Sequence, residues 1–170
     1  MNQLHIFLSN LEHNYKVLRS HINSDTELIA VLKANAYGSK IVKISHKLES
    51  LGVNQIAVAY VDEGVYLRKQ GVKIPILIFY PQEENFEKLI KYNLEPSLYS
   101  IKTLSKFKKI INIQKKTKYP VHIKYNTGLN RIGFKAEKVK WILNEVQDDS
   151  IHLKSVYSHL ASSESSKKNP

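Results

Sequence analysis

Apolar residues fall along this chain in two alternating rhythms: short continuous runs, and longer stretches with an apolar residue at every third or fourth position. The first stretch of the second kind places Leu11, Tyr15, Leu18 and Ile22 on one helical stripe, and Ser9 with Glu12 forms the S-x-x-E pattern of a capping box. Asn23-Ser24-Asp25 breaks that helix, and Glu27–Leu32 reads as a buried strand. A helix carrying Ile41, Ile44 and Leu48 follows and stops at Gly52. The pattern then continues with a strand over Gln55–Ala59, a helix capped by Asp62 that carries Val65 and Leu67 and ends at Gly71, and a strand over Pro75–Tyr80. Next come a helix over Glu83–Tyr92 with Phe86, Leu89 and Ile90 inward, a strand over Leu94–Tyr99 and a basic helix from Ser100 to Ile111. A strand over Val121–Tyr125, a helix over Ala136–Val146 with Val139, Ile142 and Leu143 inward, and a strand over Leu153–Leu160 complete the series.

Strands separated by helices imply a parallel sheet with right-handed crossovers. Two α/β architectures satisfy that: an open doubly wound sheet or a (β/α)8 TIM-type barrel. No G-x-G-x-x-G or P-loop follows the first strand, which removes the main reason to prefer a nucleotide-binding sheet. Six βα units are two short of a closed barrel, so the expectation is an incomplete barrel over residues 1–160 with a polar tail over 161–170.

Composition narrows the classes further. A length of 170 residues suits one domain. The densest apolar run, Ile74–Tyr80, has the length of a strand and not of a membrane span. The N-terminus lacks a basic segment followed by an apolar block, which leads to a cytoplasmic expectation. With no cysteine there is no disulfide, thiolate metal site or cysteine nucleophile. The net charge of +11 comes from lysines spread along the chain, with arginine only at Arg19, Arg68 and Arg131. That is a solvated surface, not the concentrated arginine of a nucleic-acid groove.

In parallel α/β folds, chemistry collects at the C-terminal ends of strands. The first strand ends in Lys33, directly after five apolar residues, where desolvation would free its amine to act as nucleophile or base. Its bland alternative is a lysine that snorkels into solvent. The fifth strand runs His122-Ile-Lys124-Tyr-Asn126, with His122, Lys124 and Asn126 sharing one face, into a polar loop bounded by Gly128 and Gly133 that carries Arg131. If that face is the lumen, Lys124 is a buried cation needing a partner or a modification. The sixth strand ends at His159. His5, His13, His21, His46 and His152 form no metal-ligand pair, and no metal site is expected.

Taken together, Ala30-Val-Leu-Lys33-Ala-Asn-Ala-Tyr37-Gly38, Lys124-Tyr-Asn-Thr-Gly128-Leu-Asn-Arg131-Ile-Gly-Phe134 and Ser155-Val-Tyr-Ser-His159-Leu-Ala resemble three segments of alanine racemases, in that family's order. The resemblance covers the chain from its first helix to Ser163. It implies pyridoxal 5'-phosphate as cofactor and interconversion of L- and D-alanine for peptidoglycan precursors. Carried over, Lys33 would form the aldimine and serve as one of two racemisation bases, and Tyr37 would contact the phosphate. Arg131 would lie near the phenolic oxygen, Lys124, carbamylated in many members, would orient Arg131, and His159 would pack against the pyridine ring. A homodimer is implied, with neither nucleic acid nor membrane as partner.

Departures accompany the resemblance. Asn126 stands where the family has aspartate, and Ser39-Lys40 where it has histidine or leucine and then glycine. The last two barrel units and the C-terminal β domain, which supplies the second base, have no counterpart in this sequence. The expectation is therefore a fragment of a longer enzyme, inefficient by itself. The rival expectation is a stand-alone pyridoxal-phosphate-binding homeostasis protein of the same fold.

Overall fold

The computed structural model describes residues 3–163. Six strands form one parallel sheet: β1 (Ile29–Val31), β2 (Gln55–Val58), β3 (Ile76–Ile78), β4 (Glu95–Leu98), β5 (Tyr119–Lys124) and β6 (Ile151–Tyr157). Their spatial order equals their sequence order. A doubly wound sheet reverses direction partway, whereas a barrel adds each strand beside the last, so this is the barrel-type α/β alternative. Among the described residues β1 and β6 do not pair with each other, and the barrel is open there.

The helices are α1 (Leu8–Ser20), the short turn α2 (Lys33–Tyr37), α3 (Ile41–Ser50), α4 (Val61–Lys69), α5 (Phe86–Lys91), α6 (Ile101–Ile113) and α7 (Val139–Glu145). The core lies between the outer face of the sheet and this helical layer. Ile56, Val58, Ile76, Ile78, Leu98, Val121 and Ile123 pack there with Leu67, Phe86, Leu89, Leu104, Phe107 and Ile111. Phe107 meets Phe86 edge to face at 5.1 Å between ring centroids and Tyr119 at 5.5 Å. Each fully buried side chain of this size contributes about 1.5–3 kcal/mol. Gly64 lets α4 lie close to the sheet, because a Cβ there would come within 2.8 Å of Ile78 Cδ1.

The inner face is polar. Glu95 is buried and accepts hydrogen bonds from Gln55 Nε2 at 2.6 Å and Lys154 Nζ at 3.0 Å, with His122 Nε2 at 2.8 Å. Burial raises the Glu95 pKa, but the bonds from His122 and Lys154 outweigh it and hold the carboxyl below its ordinary value.

Several sequence expectations change. Helix α1 begins at Leu8, with Phe7 at the N-cap, so Ser9 lies inside it and forms no capping box; Glu12 instead pairs with Lys16 and Lys47. No α1 residue is buried, and Leu18 is exposed, because the helix rests against α3 and not on the sheet. Tyr60, not Asp62, is the N-cap of α4, and Asp62 pairs with Lys88. Of the three α7 residues expected inward only Ile142 is buried; Val139 and Leu143 are exposed beside the open edge. Strand β1 is short and exposed at Ile29 and Val31, because their inward side chains face no opposing strand. Of the expected polar tail, residues 164–170 lie outside the described residues. No helix among the described residues is long and apolar enough to cross a membrane.

Candidate active site

The chain leaves β1 through Leu32, whose amide bonds Ala57 O of β2 at 2.8 Å. It then enters a left-handed turn: Ala34, Asn35, Ala36 and Tyr37 have φ of 54°, 54°, 50° and 51°, and Gly38 has φ 89°. Each non-glycine residue in that region costs about 1–2 kcal/mol. Compensating bonds run from Ala36 N to Leu32 O at 3.0 Å and from Ile41 N to Asn35 Oδ1 at 3.1 Å. Another runs from Ala34 N to Glu63 Oε1 at 2.6 Å. Lys33, at the start of the turn, is partly exposed.

Strand β5 carries His122 and Lys124 inward, both buried. The loop after it folds back, with Asn126 N bonded to Phe134 O and Phe134 N to Lys124 O. Gly133 permits that return: at φ 129°, a Cβ would lie 2.7 Å from Asn126 N. Asn126 organises the loop by accepting from the amides of Gly128 and Asn130 and donating to Asn130 Oδ1. The loop presents Arg131, which makes no hydrogen bond or ion pair among the described residues.

Strand β6 contributes Tyr157 and, just past its end, His159. Ser97 and the Tyr157 hydroxyl are 2.6 Å apart. Lys124 Nζ lies 2.9 Å from His159 Nδ1 and 5.0 Å from the centre of the Tyr157 ring. An ammonium group donating to Nδ1 requires that nitrogen to be an acceptor, which places the imidazole proton on Nε2.

These groups share one cavity of about 310 Å³, lined by Lys33, Tyr60, Phe79, Tyr80, Lys124, Arg131, Tyr157 and His159 among others. Of the sequence-predicted site residues, Lys33, Lys124, Arg131 and His159 are thus brought together from three strand ends. Tyr37 is not: its side chain is 74% exposed and stands outside that lining. Three cations and no carboxylate line the cavity among the described residues. Burial, then Arg131, lowers the Lys124 pKa; burial, then Lys124, Arg131 and Lys33, lowers that of His159. Burial pushes the Tyr157 phenol up to about 12, so it remains a neutral hydroxyl bonded to Ser97. A primary amine, a neutral imidazole, concentrated positive charge and flat aromatic walls fit a phosphorylated aromatic aldehyde such as pyridoxal phosphate.

Sequence reading missed Tyr157, although it lies two residues before His159 and so shares its side of an extended strand. It also missed Glu63, whose signal was an acidic residue three positions beyond the N-cap of a helix.

Comparison with known proteins agrees with this fold. A family model described as alanine racemase, N-terminal domain, matches residues 6–170. An alanine racemase of Carboxydothermus hydrogenoformans is 35% identical over 155 residues, covering 91% of this chain and 42% of that protein. The structure of alanine racemase from Clostridium difficile 630 in complex with cycloserine superposes with a TM-score of 0.86 at 34% identity, over 91% of this chain and 43% of that one. That of Bartonella henselae with covalently bound pyridoxal phosphate superposes at 0.81 with 28% identity, over 92% and 46%. The chain spans less than half the length of these relatives.

Proposed function

Because the chain belongs to the alanine racemase N-terminal domain family, we propose that it binds pyridoxal 5'-phosphate through Lys33 and carries half of the machinery that interconverts L- and D-alanine. The convergence of Lys33, Lys124, Arg131 and His159 on one cavity is the observation that carries this reading.

When bound, pyridoxal phosphate supplies an electron sink that acidifies the Cα–H of an amino acid. The protein's part is placement and charge. Lys33 Nζ is the group that joins the cofactor covalently and moves a proton on one face of the substrate. Arg131 and Lys124 compensate the phosphate, phenolate and carboxylate charges that the reactants bring. His159, held neutral and oriented by Lys124, offers its flat face to the cofactor ring without adding a cation. Tyr157 and Phe79 exclude water beside it, their ring centroids 5.9 Å apart. Tyr37, to which the family resemblance assigns the phosphate, lies exposed outside the cavity lining, so that contact is carried by the resemblance and not by the cavity. Carbamylation of Lys124 would replace its repulsion of Arg131 by attraction, which supports a role in orienting that arginine.

The alanine substrate, the homodimer and the cytoplasmic setting belong to this reading, as does slow turnover by this chain alone. Lack of a second base on the opposite face would cost about 10²–10⁴ in rate.

The test is to incubate the purified chain with pyridoxal phosphate, reduce with borohydride and map the label by peptide mass. Label on Lys33, lost in Lys33→Ala and kept in Lys40→Ala, is the expected result; equal labelling of both variants defeats the assignment. A Lys33 adduct in a sample that never inverts alanine, even when supplied with the remaining portion of a racemase, favours the cofactor-carrier alternative.

A further inference from the structure

Lys33 projects from the least supported part of the sheet. Strand β1 has three residues, pairs with β2 alone among the described residues, and exposes Ile29 and Val31. Between Ile29 and Gly38 only Leu32 is buried. The turn after Lys33 nevertheless holds four consecutive non-glycine residues at positive φ, a conformation that persists only when its surroundings over-determine it. Packing supplies little of that restraint: within the turn only Ala36, half-buried, rests against the core.

Glu63 supplies it. One carboxylate oxygen, Oε1, accepts from Ala34 N–H at 2.6 Å, the peptide that leaves Lys33. The other, Oε2, accepts from Ala59 N–H at 2.8 Å and Tyr60 N–H at 3.1 Å, where β2 passes into α4. Among the described residues it is the only side chain from another element that hydrogen-bonds the backbone of the turn. A single ionised carboxylate thereby spans the C-terminal ends of β1 and β2, and all three of its bonds are charge-assisted.

We propose that Glu63 is a positioning residue for Lys33, fixing the backbone from which the reactive amine reaches the cavity. The proposal rests on the reading of Lys33 as the cofactor lysine. It follows from acceptor number and reach. Glutamine presents one carbonyl oxygen and an NH2 group that cannot accept, so Glu63→Gln keeps either the bond to Ala34 or those to the α4 start. Alanine keeps neither, and aspartate is one methylene too short to span both.

The experiment compares the chain as it stands with Glu63→Gln, Glu63→Ala and, as a neighbouring control, Asp62→Ala. Two quantities are read: amide hydrogen exchange at residues 34–37, without cofactor, and the rate of borohydride-trapped pyridoxyl labelling at Lys33. In Glu63→Ala, exchange at 34–37 should quicken selectively and labelling should slow by about tenfold or more. Glu63→Gln should fall between Glu63→Ala and wild type, and Asp62→Ala should match wild type. If Glu63→Ala unfolds, Glu63→Gln decides. Exchange and labelling both at wild-type level in a folded Glu63 variant would overturn the proposal. So would slowed labelling with unchanged exchange, which makes the residue a charge and not a brace. A wild-type chain that takes no label on Lys33 defeats the cofactor reading, while exchange still decides whether Glu63 holds the turn.

Discussion

The middle of the sheet and its two margins are built differently. Strands β2 to β5 are buried on both faces, with branched aliphatic residues toward the helices and the Gln55–Glu95–His122 cluster inside. Strand β1, and β6 beyond its buried first residue Ile151, alternate between exposed and half-covered residues. Yet Lys33 and His159 stand at the ends of those two margins, and only Lys124 and Arg131 come from the better-packed fifth strand and its loop. Stability and candidate chemistry are thus largely carried by different strands. The marginal ones depend on directional bonds, Glu63 to Ala34 and Lys124 to His159, where the middle depends on packing.

That contrast is open to measurement by urea unfolding. Phe107→Ala, in the centre of the aromatic cluster, should cost about 3–5 kcal/mol, since the two rings against it, Phe86 and Tyr119, cannot collapse into the void. Glu95→Leu should cost about 3 kcal/mol, because it leaves His122 and Lys154 without their shared carboxylate. A smaller effect is expected from pH. The His159 pKa lies below its ordinary value of 6.5, so the unfolded chain binds the proton more readily. The stability this group contributes is present above that value and is lost as pH falls through the lowered folded pKa. Between about pH 7 and pH 5.5, wild type should therefore lose more stability than His159→Asn. Smallest of all, Val31→Ala should stay within about 0.5 kcal/mol, the range of a surface change. A cost at Val31 equal to that at Phe107 would erase the distinction between middle and margin.

The same distinction governs what was legible in the sequence. The runs Gln55–Ala59, Pro75–Tyr80 and Leu94–Tyr99 each contain the strand found there; residues 56–58 and 76–78 are apolar without interruption because both faces are buried, while Gln55, Glu95 and Ser97 mark the polar inner face. The reading was less accurate wherever burial is one-sided. Leu18, Val139 and Leu143 follow a helical period yet face solvent, since periodicity reports a stripe but not whether anything covers it. Lys33, Lys124, Arg131 and His159 were legible as polar residues at strand ends. The left-handed turn was not, because Ala34, Asn35 and Ala36 have ordinary side chains and their backbone is set by a carboxylate nearly thirty positions away. For Glu63 the sequence offered only its place in the first turn of α4; its bond to Ala34 was not legible, because a backbone amide leaves no trace in residue identity.

Strand β6 holds one more consequence. Val121 stands opposite Leu153, but His122 stands opposite Ser155, so Lys154 is a supernumerary residue in the pairing. Side chains alternate along a strand, and the bulge absorbs the extra residue so that the side chains after it keep step with those of β5. Were the bulge lost and Lys154 set in register opposite His122, Ser155 would fall opposite Ile123 and Val156 would take the inward place opposite Lys124, while Tyr157 and His159 would swing to the helical side. The bulge thus decides which face the end of the strand presents, and with it whether an imidazole meets the amine of Lys124 at all.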